Sequence, residues 1–143
     1  MRERLLAATR IALGALFAYA AATKLPDMAA FAEDVANYRI LPPRAVPALG
    51  SALVGVELVA GLALAFGVAA RGAALVATGL LATFIGALSQ ALLRGIDLRC
   101  GCFGGSEPAT WGTVARDALM LAAALAVTFL GPGRLLPRRA AAP

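Results

Sequence analysis

Four long stretches of apolar residues follow one another along the chain, and most of the charged residues lie in the short segments between them. A hydrocarbon core about 30 Å thick is crossed by about 20 residues of α-helix, and each stretch comes close to that length. The pattern predicts an all-α fold, a bundle of four transmembrane helices in a single membrane domain that covers residues 1–143. The predicted spans are residues 5–22, 46–66, 72–93 and 113–131.

Small residues recur at near-helical spacing within these spans, as in Gly14 with Ala18 and Gly79 with Thr83. Pairs of this kind let helix backbones approach closely in lipid. We therefore expect both pairs to lie at contacts between helices of a compact bundle.

The segment between the first two spans has a pattern of its own. It begins after Asp27, a residue type that caps helix N-termini, and its apolar side chains recur at the spacing of one helix face. The apolar positions are Met28, Phe31, Val35 and Tyr38. We predict a short amphipathic helix over residues 28–39 that lies at the membrane interface. An irregular connector is the alternative.

Composition agrees with a membrane protein and argues against other classes. Hydrophobic residues make up 61% of the chain and charged residues 15%, whereas soluble domains are nearer one half and one quarter. The net charge is +5, but the basic residues lie at the ends of apolar stretches, not in a stripe with interleaved aromatic residues. The lipid bilayer is therefore the expected partner, and no nucleic acid is expected.

The distribution of basic residues predicts the orientation of the bundle. Segments on the N-terminal side of the membrane hold six arginines, whereas the opposite segments hold five basic residues in twice the length. The positive-inside rule then places both termini in the cytoplasm and the loop over residues 94–112 on the other side of a plasma (inner) membrane. A cleaved signal peptide is an alternative for the first span, because Arg2 and Arg4 precede an apolar stretch that ends in alanines.

The loop over residues 94–112 contains both cysteines of the chain, Cys100 and Cys102. A disulfide across a single residue closes a tight ring that Gly101 can accommodate, and a strained bridge is easily reduced. Nearby Arg94 and Arg99 favour the thiolate form. We predict a redox-active disulfide; a static bridge and two inert thiols are the alternatives. No metal site is predicted, because two sulfurs without histidine leave a tetrahedral ion half-coordinated.

One cysteine pair cannot carry electrons across a membrane by successive dithiol exchange, so another electron carrier is required. In a bilayer the expected two-electron acceptor is a quinone. Glu57 lies in the middle of the second span, where a charge is costly, so we expect it to face the bundle beside a quinone or to pair with Arg10 or Arg116. Gln90 and Arg116 are further candidates for quinone binding. Purely structural roles are the alternative for all three residues.

A series of motifs occurs in a fixed order between residues 5 and 131: Lys24-Leu25-Pro26-Asp27, Tyr38 to Leu41 with Pro42, Glu57, Arg94-Gly95 and Cys100-Gly101-Cys102-Phe103-Gly104. This order resembles the MauE/DoxX-like family of redox-associated four-helix membrane proteins, and the cysteine motif resembles its MauE branch. The resemblance implies handling of disulfides or sulfur, with Cys100 and Cys102 as the redox pair and Glu57 as the intramembrane acid. It also implies a thioredoxin-like partner or a maturing, disulfide-containing substrate protein.

These observations predict a membrane thiol:disulfide oxidoreductase that exchanges electrons between such a protein partner and a membrane quinone. One alternative is a membrane partner without enzymatic activity that supports maturation of a redox enzyme. Another is a subunit of a thiosulfate:quinone oxidoreductase, which the resemblance to DoxX-related proteins implies. Transport of a small solute through the bundle is a fourth possibility, because lone intramembrane acids also occur in proton-coupled carriers.

Overall fold

The structure is a computed structural model that describes residues 1–98 and 108–133. Within that part of the chain the elements are five α-helices and one 3₁₀ turn, Leu25–Asp27. Four helical segments are long and apolar enough to cross a membrane, which confirms the all-α, four-span fold. The helices are α1 (Arg2–Lys24), α2 (Met28–Asn37), α3 (Val46–Phe66), α4 (Ala70–Leu93) and α5 (Trp111–Leu130).

The helix ends follow local signals in the sequence. Helix α3 covers the predicted residues 46–66, with a proline in its first turn and Gly67 at φ 77° after its last residue. Such a left-handed residue is what glycine supplies at a helix C-terminus. Helix α5 begins two residues before the predicted 113, because Thr110 and Thr113 form a capping box. Helix α2 ends at Asn37 and not at 39, where Arg39 has a φ of 53°.

Helices α1 and α3 pack with their backbones in close approach. A Cβ atom added to Gly14 would lie 2.5 Å from the nitrogen of Ala65, and one added to Gly61 would lie 2.6 Å from the nitrogen of Ala18. The expected contact at Gly14 and Ala18 is therefore present, and Gly61 and Ala65 of α3 form its other half. Side chains larger than hydrogen at either glycine would force the two helices apart.

The corresponding expectation for Gly79 was wrong. A Cβ atom at Gly79 would meet nothing within 4 Å, so this part of α4 faces open space. The Thr83 hydroxyl donates a 2.8 Å hydrogen bond to the Gly79 carbonyl of the same helix. Small residues permit close packing but do not require it, and here the spacing reflects an intrahelical hydrogen bond.

The four long helices enclose one main core cluster of apolar side chains. Members from all four helices are buried: Leu13, Phe17, Leu64, Ala73, Ala74, Ala77, Leu81, Ala124 and Val127. Two smaller clusters lie toward the end of the bundle where α2 and residues 96, 98 and 109 are found. Because α1 contributes Leu13 and Phe17 to the main cluster, it is packed as an integral helix of this bundle.

The buried side chain of Arg10 defines the other end of the bundle. Its guanidinium donates hydrogen bonds to the carbonyls of Leu64, Ala65 and Pro132. These contacts place the start of α1 beside the ends of α3 and α5. It follows that Lys24, α2 and the residues flanking the cysteine segment share the opposite end.

Candidate functional site

The predicted redox pair, Cys100 and Cys102, lies outside the described residues, but both flanks of its segment are described. The backbone N–H of Ala109 donates a 2.8 Å hydrogen bond to the carbonyl of Leu98. Leu98 is buried against Leu88 and Ala91 of α4. The two ends of the segment that carries the cysteines are thus joined to each other and fixed to the bundle.

Glu57, the intramembrane acid predicted from the sequence, forms a buried ion pair with Lys24. The Lys24 Nζ lies 2.6 Å from the Glu57 Oε2, and the two side chains are only 2% and 5% exposed. Lysines near the ends of transmembrane helices usually extend to the interface, whereas Lys24 turns into the bundle. The pair links the end of α1 to the middle of α3.

The sequence interpretation missed this partner of Glu57. The predicted first span ends at residue 22, before Lys24, and the predicted partners of Glu57 are Arg10 and Arg116. In the structure α1 extends to Lys24 and so carries the ammonium into the bundle. A signal was present in the sequence, because Lys24 lies only two residues after the apolar stretch 5–22 and a lysine side chain can extend along a helix. Arg10 instead binds backbone carbonyls at the other end.

Two aromatic rings surround the ammonium group of Lys24. Its Nζ lies 5.2 Å from the centroid of the Phe31 ring on α2 and 5.9 Å from that of Phe84 on α4. Both distances fall within the roughly 6 Å range of cation–π attraction. Rings from two helices and a carboxylate from a third therefore stabilise the buried charge together.

The same residues border a cavity of about 300 Å³ between α2, α3 and α4, here called the α2 cavity. Lys24, Phe31 and Phe84 form part of its wall, together with aliphatic side chains of all three helices. Gly50 of α3 leaves room in this wall, because a Cβ atom there would lie 3.7 Å from the Phe31 ring. The α2 cavity is thus a largely apolar space, and the charged residues in its wall are Lys24 and Asp34.

A second space, here called the acid cavity, has a volume of about 20 Å³ and lies deeper in the bundle. Glu57 and Asp117 both line it. Asp117 is buried, and its Oδ1 accepts hydrogen bonds of 3.0 and 2.8 Å from the Arg116 guanidinium, whose side chain is 41% exposed. The acid cavity therefore connects the buried Lys24–Glu57 pair with a partly exposed Arg116–Asp117 pair.

Gln90, the third candidate for quinone binding, does not line the α2 cavity but contacts one of its residues. Its Nε2 donates a 3.3 Å hydrogen bond to the Tyr38 carbonyl, and its Oε1 accepts a 3.0 Å bond from Arg94. Tyr38 lines the α2 cavity and also packs against the cluster that contains Leu98. Gln90 thereby holds the residue that separates the cavity from the flank of the cysteine segment.

Glu57 thus lines the acid cavity directly, whereas Arg116 contacts it only through Asp117 and Gln90 contacts the α2 cavity only through Tyr38. Lys24 and Asp117 are the additional charged residues that the sequence interpretation did not select. The α2 cavity suits a flat, mostly apolar ligand with a hydrogen-bond acceptor, because its walls are largely aromatic and aliphatic and Lys24 is a donor there; Asp34 and Thr83 are the other polar side chains besides Tyr38. Among the described residues no cluster of His, Cys, Asp and Glu is suited to hold a metal ion.

Fold and site together define a multi-pass membrane protein with a buried ion pair beside an apolar cavity. Comparison with known proteins makes this more specific. The family model of "Methylamine utilisation protein MauE" matches residues 2–130. The chain belongs to the MauE family.

Two curated relatives carry the name "Methylamine utilization protein MauE". The one from Paracoccus denitrificans is 37% identical over 123 residues, which is 84% of this chain and 66% of the relative. The one from Paracoccus versutus is 40% identical over 128 residues, which is 87% of this chain and 69% of the relative. The chain therefore spans about two thirds of the length of the curated relatives it matches. No solved structure matches the chain.

Proposed function

We propose that this protein is a membrane thiol:disulfide oxidoreductase in which Cys100 and Cys102 exchange electrons between a thioredoxin-like or maturing protein and a membrane quinone. One observation carries the proposal. Tyr38 packs against the cluster of Leu98, two residues before Cys100, and also lines the α2 cavity. The described flank of the cysteine segment and the α2 cavity are therefore at the same end of the bundle.

The chemistry balances in two steps. A thiolate of the partner attacks the Cys100–Cys102 disulfide, and the second partner thiol then resolves the mixed disulfide, which leaves the partner oxidised and both cysteines as thiols. The two thiols return to a disulfide by giving up two electrons and two protons. A membrane quinone, when bound, would take up those electrons and protons and leave as quinol.

Several described residues support the second step, the reoxidation of the two thiols, because they fix charged groups inside the bundle. Lys24 donates a hydrogen bond to Glu57 within the bundle, and its side chain is buried close to the rings of Phe31 and Phe84. Arg116 holds Asp117 at the acid cavity. The basic residues of the sequence favour a non-cytoplasmic location for the cysteines, where disulfides persist.

Quinone reduction by the purified protein tests this proposal. The protein in lipid nanodiscs would be mixed with reduced thioredoxin and decylubiquinone, and quinone absorbance would be followed. We expect the rate to fall to the uncatalysed background in Cys100→Ser and Cys102→Ser, and one of the two to trap a mixed disulfide. The matched control is Ser51→Ala, an exposed hydroxyl of α3. Equal rates in wild type and both serine variants would contradict the proposal.

The names of the relatives favour a second candidate, a membrane accessory protein of methylamine utilisation that supports maturation of a redox enzyme without catalysis. Complementation separates the two functions. In a methylamine-utilising strain that lacks its own MauE, the Cys100→Ser/Cys102→Ser double variant would be compared with wild type for growth on methylamine. Full growth of the double variant would favour the accessory function, and lost growth with normal membrane insertion would favour thiol exchange.

A further inference from the structure

We infer that the α2 cavity is the binding site for the ring of a membrane quinone, with the Lys24 ammonium as the hydrogen-bond donor to one ring carbonyl. This inference extends the proposed function by naming the site of the oxidant and the residues that contact it. The α2 cavity is built from described residues and contains no cysteine. Binding can therefore be measured independently of thiol exchange.

Size and wall chemistry support a ring as the occupant. The volume of about 300 Å³ lies at the lower end of the roughly 300–1,000 Å³ typical of small-molecule sites. Phe31 and Phe84 offer aromatic faces and edges, against which a flat ring can stack or meet edge to face. The rest of the wall is largely aliphatic, including Leu49 and Leu53. A quinone ring matches both the size of the cavity and the chemistry of its wall, since it is small, flat and apolar over most of its surface.

The ammonium in the wall distinguishes a quinone from a lipid chain. Lys24 carries three N–H donors, and its bond to Glu57 uses one of them. A carbonyl oxygen in the cavity can accept another, whereas an acyl chain has no acceptor to offer. A buried cation that borders an apolar space therefore favours a ligand with an electron-rich oxygen.

The acid cavity gives the site a route for protons. Roughly 10–15 Å³ of accessible volume is enough for one water molecule with polar partners, and the acid cavity has about 20 Å³ between Glu57 and Asp117. A water there would connect Glu57, which bonds Lys24, to Asp117, which bonds the partly exposed Arg116. Glu57 and Asp117 thus line one small space, and each is paired with a cation, Lys24 beside the α2 cavity and the partly exposed Arg116.

Photolabelling tests whether a quinone binds in the α2 cavity. An azido-ubiquinone would be cross-linked to the Cys100→Ser/Cys102→Ser protein in nanodiscs, with decylubiquinone as competitor, and the labelled peptides would be mapped by mass spectrometry. We expect competable labels in α2 and in the segments of α3 and α4 that carry Gly50 and Phe84. Labels that decylubiquinone does not displace, or labels confined to lipid-facing surfaces, would overturn the inference.

Two glycines of α3 provide a matched pair of variants. Gly50→Leu places a side chain beside Phe31 in the α2 cavity, whereas Gly55→Leu places the same side chain where a Cβ meets nothing within 4 Å. We expect Gly50→Leu to weaken labelling at least about tenfold and Gly55→Leu to leave it unchanged, because only the first removes space for the ligand. Both variants would first be checked for helicity and monodispersity. Unchanged labelling in a well-folded Gly50→Leu protein would contradict the inference.

The function of Lys24 needs a test that does not leave Glu57 unpaired. The double variant Lys24→Met/Glu57→Leu removes the donor and its partner together and keeps the core apolar. Competition would be measured with decylubiquinone and with a decyl-trimethoxybenzene that lacks the carbonyls. Wild type should prefer the quinone about tenfold, as one good hydrogen bond to a charged donor provides, and the double variant should lose the preference. Equal competition by both compounds in wild type would show an acyl-chain groove and overturn the inference.

If labelling succeeds while quinone reduction by thioredoxin fails, the quinone site stands and thiol exchange does not. If reduction depends on Cys100 and Cys102 but labelling maps elsewhere, the proposed function stands and the site does not. A negative result in one experiment therefore leaves the conclusion from the other experiment intact.

Discussion

The two ends of the bundle each contain a buried cation, but the cations have different partners. At one end Arg10 donates to backbone carbonyls at the ends of α3 and α5. At the other end Lys24 pairs with the carboxylate of Glu57 and borders a cavity. Backbone carbonyls of a helix end cannot change their protonation, whereas a carboxylate and an ammonium can. The first arrangement therefore serves the fold alone, and the second can also serve chemistry.

The surroundings of the two buried cations differ in the same way. Arg10 also closes the turn at Gly67, since a Cβ atom there would lie 2.9 Å from the guanidinium. The Lys24 end instead leads through the acid cavity to Asp117 and Arg116. One end is thus filled by main-chain contacts, and the other retains two spaces lined by ionisable groups.

The largest expected effect is the loss of one partner from the buried ion pair. Lys24→Met leaves the Glu57 carboxylate buried and unpaired, which should lower the free energy of unfolding by about 3–5 kcal/mol. Unfolding in increasing mole fractions of SDS, followed by circular dichroism, measures this. The Lys24→Met/Glu57→Leu double variant should regain most of the loss, because apolar residues can replace a buried pair. Equal loss in the single and double variants would mean that packing at Lys24, and not charge, is responsible.

An intermediate effect is expected at the opposite end. Arg10→Met removes the donor to three carbonyls and should lower the free energy of unfolding by about 2 kcal/mol, as for hydrogen bonds that involve a charged group. The same SDS titration measures it. Quinone labelling should be unchanged in this variant, since Arg10 is remote from the α2 cavity. Reduced labelling in a folded Arg10→Met protein would remove the functional distinction between the two ends.

The smallest expected effect on stability concerns Asp117. Its partner Arg116 is 41% exposed, so solvent screening should keep the loss in Asp117→Asn to about 1 kcal/mol or less. Asparagine preserves shape but cannot carry a proton, so quinone reduction should slow several-fold while quinone labelling stays at the wild-type level. The rate of quinone reduction and the extent of quinone labelling would be measured in the same preparation of the variant. A rate equal to wild type would exclude Asp117 from the proton route.

Predictions from the sequence succeeded where they depended on length and local residue type. The apolar stretches are long enough to require helices in lipid, and Pro47 and Gly67 mark the ends of α3 by their backbone preferences. Gly14 and Ala18 were found at a helix contact, whereas Gly79 was not, because the same spacing does not reveal which face of a helix meets a neighbour. Sidedness and the oxidation state of Cys100 and Cys102 remain predictions.

The sequence by itself determined that this protein is a helical membrane protein with two closely spaced cysteines and one acid in the middle of a span, because hydrophobic length and the cost of a charge in lipid are properties of single segments. Only the tertiary structure decided that the acid pairs with Lys24, that Asp117 shares its cavity and that Tyr38 separates the α2 cavity from the cysteine flank. Those contacts join residues far apart in the chain, and they depend on helix rotation and on the reach of long side chains. Neither quantity is encoded in the spacing of residues along one helix.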